Sequence, residues 1–136
     1  MILADTSAWV EYDRASGSPV DRRLKQLIAS GGDLAVTQPV IMEVLAGARG
    51  DKELDDLRRL MQRFALLAFD PAIDFDAAVR IYRTCRGVGV TPRGMLDCMI
   101  ASVAHRRGAS LLALDVDLTR VAEVMGIAVD EASRRS

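Results

Sequence analysis

Four acidic residues stand where apolar side chains are expected: Asp5, Glu43, Asp97 and Asp115. Asp5 closes the run Met1-Ile2-Leu3-Ala4, and Asp115 closes Leu111-Leu112-Ala113-Leu114. Glu43 interrupts Val40-Ile41-Met42-Glu43-Val44-Leu45, and Asp97 lies in Leu96-Asp97-Cys98-Met99-Ile100-Ala101-Ser102-Val103-Ala104. A carboxylate buried without a partner is costly, so such groups are protonated, paired or bound to a metal. Several of them at one place raise each other's pKa unless a cation sits among them. Oxygen ligation without His or Cys selects a hard ion, Mg²⁺ or Mn²⁺. Such ions serve phosphoryl chemistry.

Each acid also has a plainer reading. Asp5 and Asp115 stand where helix N-caps belong. Glu43 has Arg49 to pair with, and Asp97 near a helix start gains from the helix dipole. Singly, none decides; jointly, they point to a site. Asp74 and Asp76 read as helix-start acids on a solvated face, and Met42, Met95 and Met99 as core filling. His105 is the sole histidine, which leaves a histidine triad or a zinc site almost nothing to use. Gly87-Val88-Gly89 lacks the preceding strand of a dinucleotide loop and reads as a connector.

The elements that must position these acids alternate between strand and helix. Short apolar runs at residues 1–4, 34–36, 66–69, 110–114 and 127–129 read as buried strands. Helical patterns cover a short stretch from about Thr6 through Trp9 and Val10, and residues 20–30, 39–47 (with Pro39 at an early helical position) and 51–65. They continue with a helix opened by Asp70-Pro71 and running through Ala77, Val79, Ile81 and Tyr82, the Asp97 helix to about Arg107, and a short helix through Val121, Ala122 and Val124 that ends at Gly126. Leu54, Leu57, Leu60 and Met61 form the apolar stripe of the fourth helix. Strands that are continuously apolar imply a parallel sheet covered on both faces, a three-layer α/β/α sandwich. Asp5 and Asp115 then fall at the carboxyl edge of that sheet, where open α/β folds bind ligands.

The 136 residues suit one domain, residues 1–131, with residues 132–136 as a frayed polar tail. Half the residues are apolar and 27% are charged, an ordinary globular balance. No apolar run reaches the length of a membrane span and the start has no basic leader, so a cytoplasmic location is expected. Cys85 and Cys98 read as free buried thiols. A net charge of −1 argues against a broadly basic surface. The basic residues are nevertheless almost all arginine, which suits bidentate phosphate contacts.

The chain resembles the PIN-domain ribonucleases, and among them the VapC toxins of bacterial toxin–antitoxin pairs. The resemblance rests on Met1-Ile2-Leu3-Ala4-Asp5-Thr6-Ser7-Ala8-Trp9, Glu43-Val44-Leu45-Ala46-Gly47, Asp97-Cys98-Met99-Ile100-Ala101 and Leu112-Ala113-Leu114-Asp115-Val116-Asp117-Leu118, in that order. It implies a Mg²⁺-dependent endoribonuclease, with Mn²⁺ able to substitute, that cuts structured RNA such as tRNA or a ribosomal RNA loop. A metal-activated water would leave a 5′-phosphate and a 3′-hydroxyl. It also implies a homodimer silenced by a cognate antitoxin, whose tail lies along the helices carrying Glu43 and residues 51–65. Asp5, Glu43, Asp97 and Asp115 would form the acidic cluster, with Asp5 and Asp97 the direct ligands. Thr6 or Ser7 would orient Asp5 or a bound water. Asp117 shares or replaces the role of Asp115. Arg93 first, then Arg14, Arg49 and Arg86, are candidates for RNA phosphates. Leu118 departs from the pattern, since many relatives carry Phe there.

Two other classes bear on the same residues. Asp115-Val116-Asp117-Leu118-Thr119 matches the nucleophile motif of haloacid-dehalogenase-like phosphatases, but it comes late and no lysine follows it. A receiver domain would need a lysine near the chain end, whereas Lys25 and Lys52 are both early. A non-catalytic PIN-like RNA-binding module is the alternative from outside the enzymes, and the presence of all four acids weighs against it.

Overall fold

A computed structural model describes residues 1–134. Four short strands, β1 (Ile2–Ala4), β2 (Leu34–Val36), β3 (Ala65–Leu66) and β4 (Ser110–Leu112), form one sheet in the order β3-β2-β1-β4. Every pairing is parallel, with Ile2 opposite both Leu34 and Ser110. Consecutive strand residues point to opposite faces. Leu3 and Ala4, all of β2, and Leu111 and Leu112 are buried, so helices cover both faces. The three-layer α/β/α arrangement expected from the continuous apolar runs is the one observed.

The helices gather in two groups. In the first, α1 (Thr6–Asp13) packs on α2 (Pro19–Ser30) and α3 (Gln38–Ala46), and α3 packs on α4 (Asp51–Met61). In the second, α5 (Pro71–Gly87), α6 (Met95–Arg107) and α7 (Val116–Met125) pack on one another. Helix α6 buries Cys98, Ile100, Ala101, Val103 and Ala104, leaving it almost no solvated face until its basic end. It stops at Gly108, whose left-handed φ of 63° is open to glycine without strain. Leu57 and Met61 carry the stripe of α4 into the core. Both cysteines are free and buried. Among the described residues no helix is long and apolar enough to cross a membrane.

Several local expectations are corrected. The strand expected at residues 66–69 sits earlier, and β4 ends at Leu112 because the chain turns there into the Asp115 cap. The last strand is reduced to a single bridge, Leu111 to Val129. Residues 132–134, the described part of the expected tail, lie in α8 (Glu131–Arg134), where Ser133 accepts a hydrogen bond from the Ala113 amide at 2.9 Å. Arg135 and Ser136 lie outside the described residues. Met42 and Met95 are 57% and 41% exposed, so they do not fill the core.

Asp74 is the largest departure, because it is fully buried rather than solvated. Arg106 donates to both of its oxygens, at 3.1 and 2.7 Å, and the Ser102 hydroxyl donates at 3.1 Å, clamping α5 to α6. Burial alone would raise the Asp74 pKa, but the Arg106, Asp70 and Ser102 hydrogen bonds and the Arg106 charge hold it below the ordinary value. This pair thus stabilises the fold above the pKa of an unfolded aspartate and loses that contribution as pH falls through the lowered native value. Replacing Arg106 with Leu strands a buried charge and is expected to cost about 3 kcal/mol in urea unfolding at neutral pH. The loss should shrink in acid.

Candidate active site

The parallel pairing of β1 with β4, Ala4 opposite Leu112, brings the two strand ends out side by side. The Asp5 amide donates to the Leu112 carbonyl at 2.9 Å. Asp5 Oδ2 accepts from the Ser7 amide at 3.1 Å and the Ser7 hydroxyl at 2.7 Å, which makes Asp5 the N-cap of α1. The same hydroxyl accepts from the Leu114 amide at 2.9 Å, tying the chain after β4 to Asp5. Asp115 caps α7 with Oδ1, which accepts from the amides of Asp117 and Leu118. Capping and presentation to the cleft are therefore not alternatives here. One oxygen of each aspartate anchors the helix while the side chain lines a shared cleft.

Helix α3 brings Glu43 to that cleft, where Thr6 Oγ1 donates to its Oε1 at 2.6 Å. Thr6 thus serves Glu43, and Ser7 serves Asp5. Arg49 does not take Glu43; it pairs with Glu53 at 3.7 Å. Helix α6 presents Asp97 in its first turn, 7% exposed, with Oδ2 buried and without a hydrogen-bond partner. The cleft holds about 500 Å³ and is lined by Asp5, Thr6, Ser7, Glu11, Glu43, Arg93, Asp97, Asp115 and Asp117, with Val10, Leu114 and Val116. Glu11 escaped the sequence reading, although it lies one helical turn beyond Ser7 on the same face. It accepts a hydrogen bond from the Ser16 hydroxyl at 2.8 Å.

Burial pushes the Asp97 pKa up from an ordinary 3.8 to about 7. The charges of Asp115, Asp5 and Glu43 push the same way, and only Arg93 opposes them. Asp5 is also raised, first by burial; the Ser7 hydrogen bonds restrain the rise, and Asp115 and Glu43 add to it. Arg93 lies across the mouth, its Nη2 2.8 Å from Asp115 Oδ2 and 3.8 Å from Asp97 Oδ2, and its Nη1 3.9 Å from Asp117 Oδ2. The other arginines considered for phosphates lie elsewhere. Arg14 pairs with Glu11 at 3.9 Å, and Arg86 stacks over Tyr82 at 5.8 Å. Arg14 and Arg49 line an adjoining 200 Å³ cavity that also includes Glu43.

Among the described residues no group of three or more His, Cys, Asp or Glu side chains converges closely enough to hold a metal ion by itself. A Mg²⁺-like ion does not demand one, since it keeps several waters and takes one or two carboxylates. The donor set meets that requirement. It is all oxygen, and it includes one buried carboxylate oxygen, Asp97 Oδ2, that no protein hydrogen bond satisfies.

A carboxyl with a raised native pKa lowers stability as it ionises. With chelator present, the wild-type chain should therefore lose stability relative to Asp97→Asn as pH rises from about 4 to about 7, then level off. Thermal melts across that range, in which the variant's advantage grows with pH, check this. A constant difference at all pH values would contradict the assignment of Asp97 as an uncompensated acid.

The model of the PIN domain family matches residues 2–124, a span containing all four acids. The ribonuclease VapC11 of Mycobacterium tuberculosis is 41% identical over 128 residues, 93% of this chain and 96% of that protein. Among solved structures, FitAB bound to a DNA fragment gives a TM-score of 0.75 at 21% identity, covering 95% of this chain and 93% of that one. VapBC2 of Rickettsia felis, bound to a DNA fragment from its promoter, gives 0.74 at 16% identity, covering 96% and 98%. These two likenesses carry the fold, and the closer sequence match carries the lineage. The chain belongs to the PIN domain family, within its VapC ribonuclease branch.

Proposed function

We propose that this chain is the toxin of a toxin–antitoxin pair, a divalent-metal-dependent endoribonuclease hydrolysing phosphodiester bonds of structured RNA, tRNA or rRNA. The observation that carries this reading is the orphaned Asp97 oxygen in a cleft shared with Asp5, Glu43 and Asp115. Asp5 and Asp97 are the direct ligands of Mg²⁺, with Mn²⁺ able to substitute, and Asp115 is the fourth acid. When bound, the ion would polarise the phosphate and raise the acidity of the attacking water. Thr6 fixes one oxygen of Glu43, so that the carboxylate is held ready to accept a proton from that water. Ser7 fixes Asp5 against the end of β4, holding two acids from different strands in register. Asp117, partly exposed beside Arg93, acts through that arginine. Arg93 itself is the cation best placed for a substrate phosphate, because it alone of the four arginine candidates lines the acidic cleft. Attack by water then leaves a 5′-phosphate on one RNA product and a 3′-hydroxyl on the other.

The partner in this reading is a cognate antitoxin lying along α3 and α4. Two cavities there, of about 200 and 310 Å³, support it, as do the exposed side chains of Met42 and Leu66. A homodimer is part of the same proposal, supported by Phe75 and Val79, half exposed and one turn apart on α5.

Antitoxin-free protein incubated with total RNA and Mg²⁺ or Mn²⁺ should produce discrete fragments, and chelation should stop it. Asp97→Asn should lower the rate by about 100-fold or more, the scale set by loss of a charge-stabilising group. Equal cleavage by both proteins would identify a contaminant and remove the assignment. No cleavage of any RNA by folded wild-type protein would instead favour a non-catalytic RNA-binding module.

A further inference from the structure

Arg93 contacts the wrong partners for a residue that only meets substrate. Asp115 commits Oδ1 to the amides of Asp117 and Leu118, which leaves Oδ2 as its outward oxygen. That oxygen is the one Arg93 takes, at 2.8 Å. The orphaned Oδ2 of Asp97 is 3.8 Å from the same guanidinium nitrogen. Two oxygens open to a cation thus already share one, and its charge is permanent.

The grip is nevertheless loose. The Arg93 side chain is 66% exposed, and exposed ion pairs are weak. Arg93 also precedes α6, which starts at Met95, so its backbone lies outside that helix.

We infer that Arg93 is a displaceable counter-ion: it neutralises Asp97 and Asp115 until a divalent cation in the cleft supplies that charge, and only then is it free to meet an RNA phosphate. This rests on the metal-dependent reading of the cleft and adds a device to it. Arg93 sets the metal concentration at which the site loads, and it links loading to the release of a phosphate-binding group. The two roles predict effects of opposite sign. Removing Arg93 strengthens metal binding and weakens RNA cleavage, whereas a residue with only a structural role would weaken both.

Mn²⁺ binding to antitoxin-free protein, followed by electron paramagnetic resonance of the free ion, reads the first effect directly. Arg93→Ala should bind Mn²⁺ about fivefold more tightly than wild type, the scale an exposed ion pair supports. Arg93→Gln keeps most of the side-chain bulk without the charge and should shift affinity in the same direction, and Arg93→Lys should restore most of the wild-type value. Cleavage at saturating Mn²⁺ should fall in Arg93→Ala and Arg93→Gln. If wild type binds Mn²⁺ and both neutral variants bind it equally or more weakly, the counter-ion role is overturned and the metal site stands. If no folded variant binds Mn²⁺, and wild type does not either, the metal-dependent reading falls together with the inference.

Discussion

Ionising Asp97 demands a cation, because the carboxylate is buried in a packed helix and shares its cleft with five other acids, of which Asp5, Glu43 and Asp115 raise its pKa. The protein offers that charge only partial relief. A distant guanidinium approaches Oδ2 at 3.8 Å, and no hydrogen bond reaches it. Buried carboxylates elsewhere in the chain are treated differently. Asp74 receives Arg106 on both oxygens together with Ser102, and Asp21 takes the Gly17 amide and Lys25 on Oδ2 while its Oδ1 has no hydrogen-bond partner. The same fold therefore gives these structural acids a close cation and leaves Asp97 with Arg93 at 3.8 Å. A carboxyl shifted by desolvation and like charges inside a cleft is the physical mark of a functional group.

The sheet accounts for how four such groups meet. Strands β1 and β4 run parallel as neighbours, so their carboxyl ends deliver Asp5 and Asp115 to one edge. Both residues spend one oxygen on a helix N-terminus, where amide donors and the dipole favour negative charge. Helices α3 and α6, from different groups, supply Glu43 and Asp97. Thr6 and Ser7 then fasten the assembly, one reaching to α3 and the other to the chain after β4. A tripeptide, Asp5-Thr6-Ser7, thus ties α3 and the end of β4 to the start of α1.

The acids were legible in the sequence because each interrupts an apolar run, and the strand ends were legible because those runs are short and continuous. What escaped depends on contacts distant in the chain. Asp74 looks solvated until Arg106, 32 residues later, is packed beside it. Arg93 was legible as a cation near the site, but its hold on Asp115 depends on the β4–α7 turn. Thr6 and Ser7 were marked as supporting residues, yet their separate partners follow from where α3 and β4 come to rest. The helical turn of α8 is hidden in the sequence for the same reason: the Ser133 hydroxyl accepts from the Ala113 amide 20 residues away.

The central claim is that the acidic cleft binds a divalent cation through Asp5 and Asp97. Anomalous scattering from crystals of the antitoxin-free protein grown with Mn²⁺ tests it most directly. The account predicts an anomalous peak inside the cleft, bonded to carboxylate oxygens of both residues. Manganese peaks found only outside the cleft, with Asp5 and Asp97 making no contact to any of them, would contradict it.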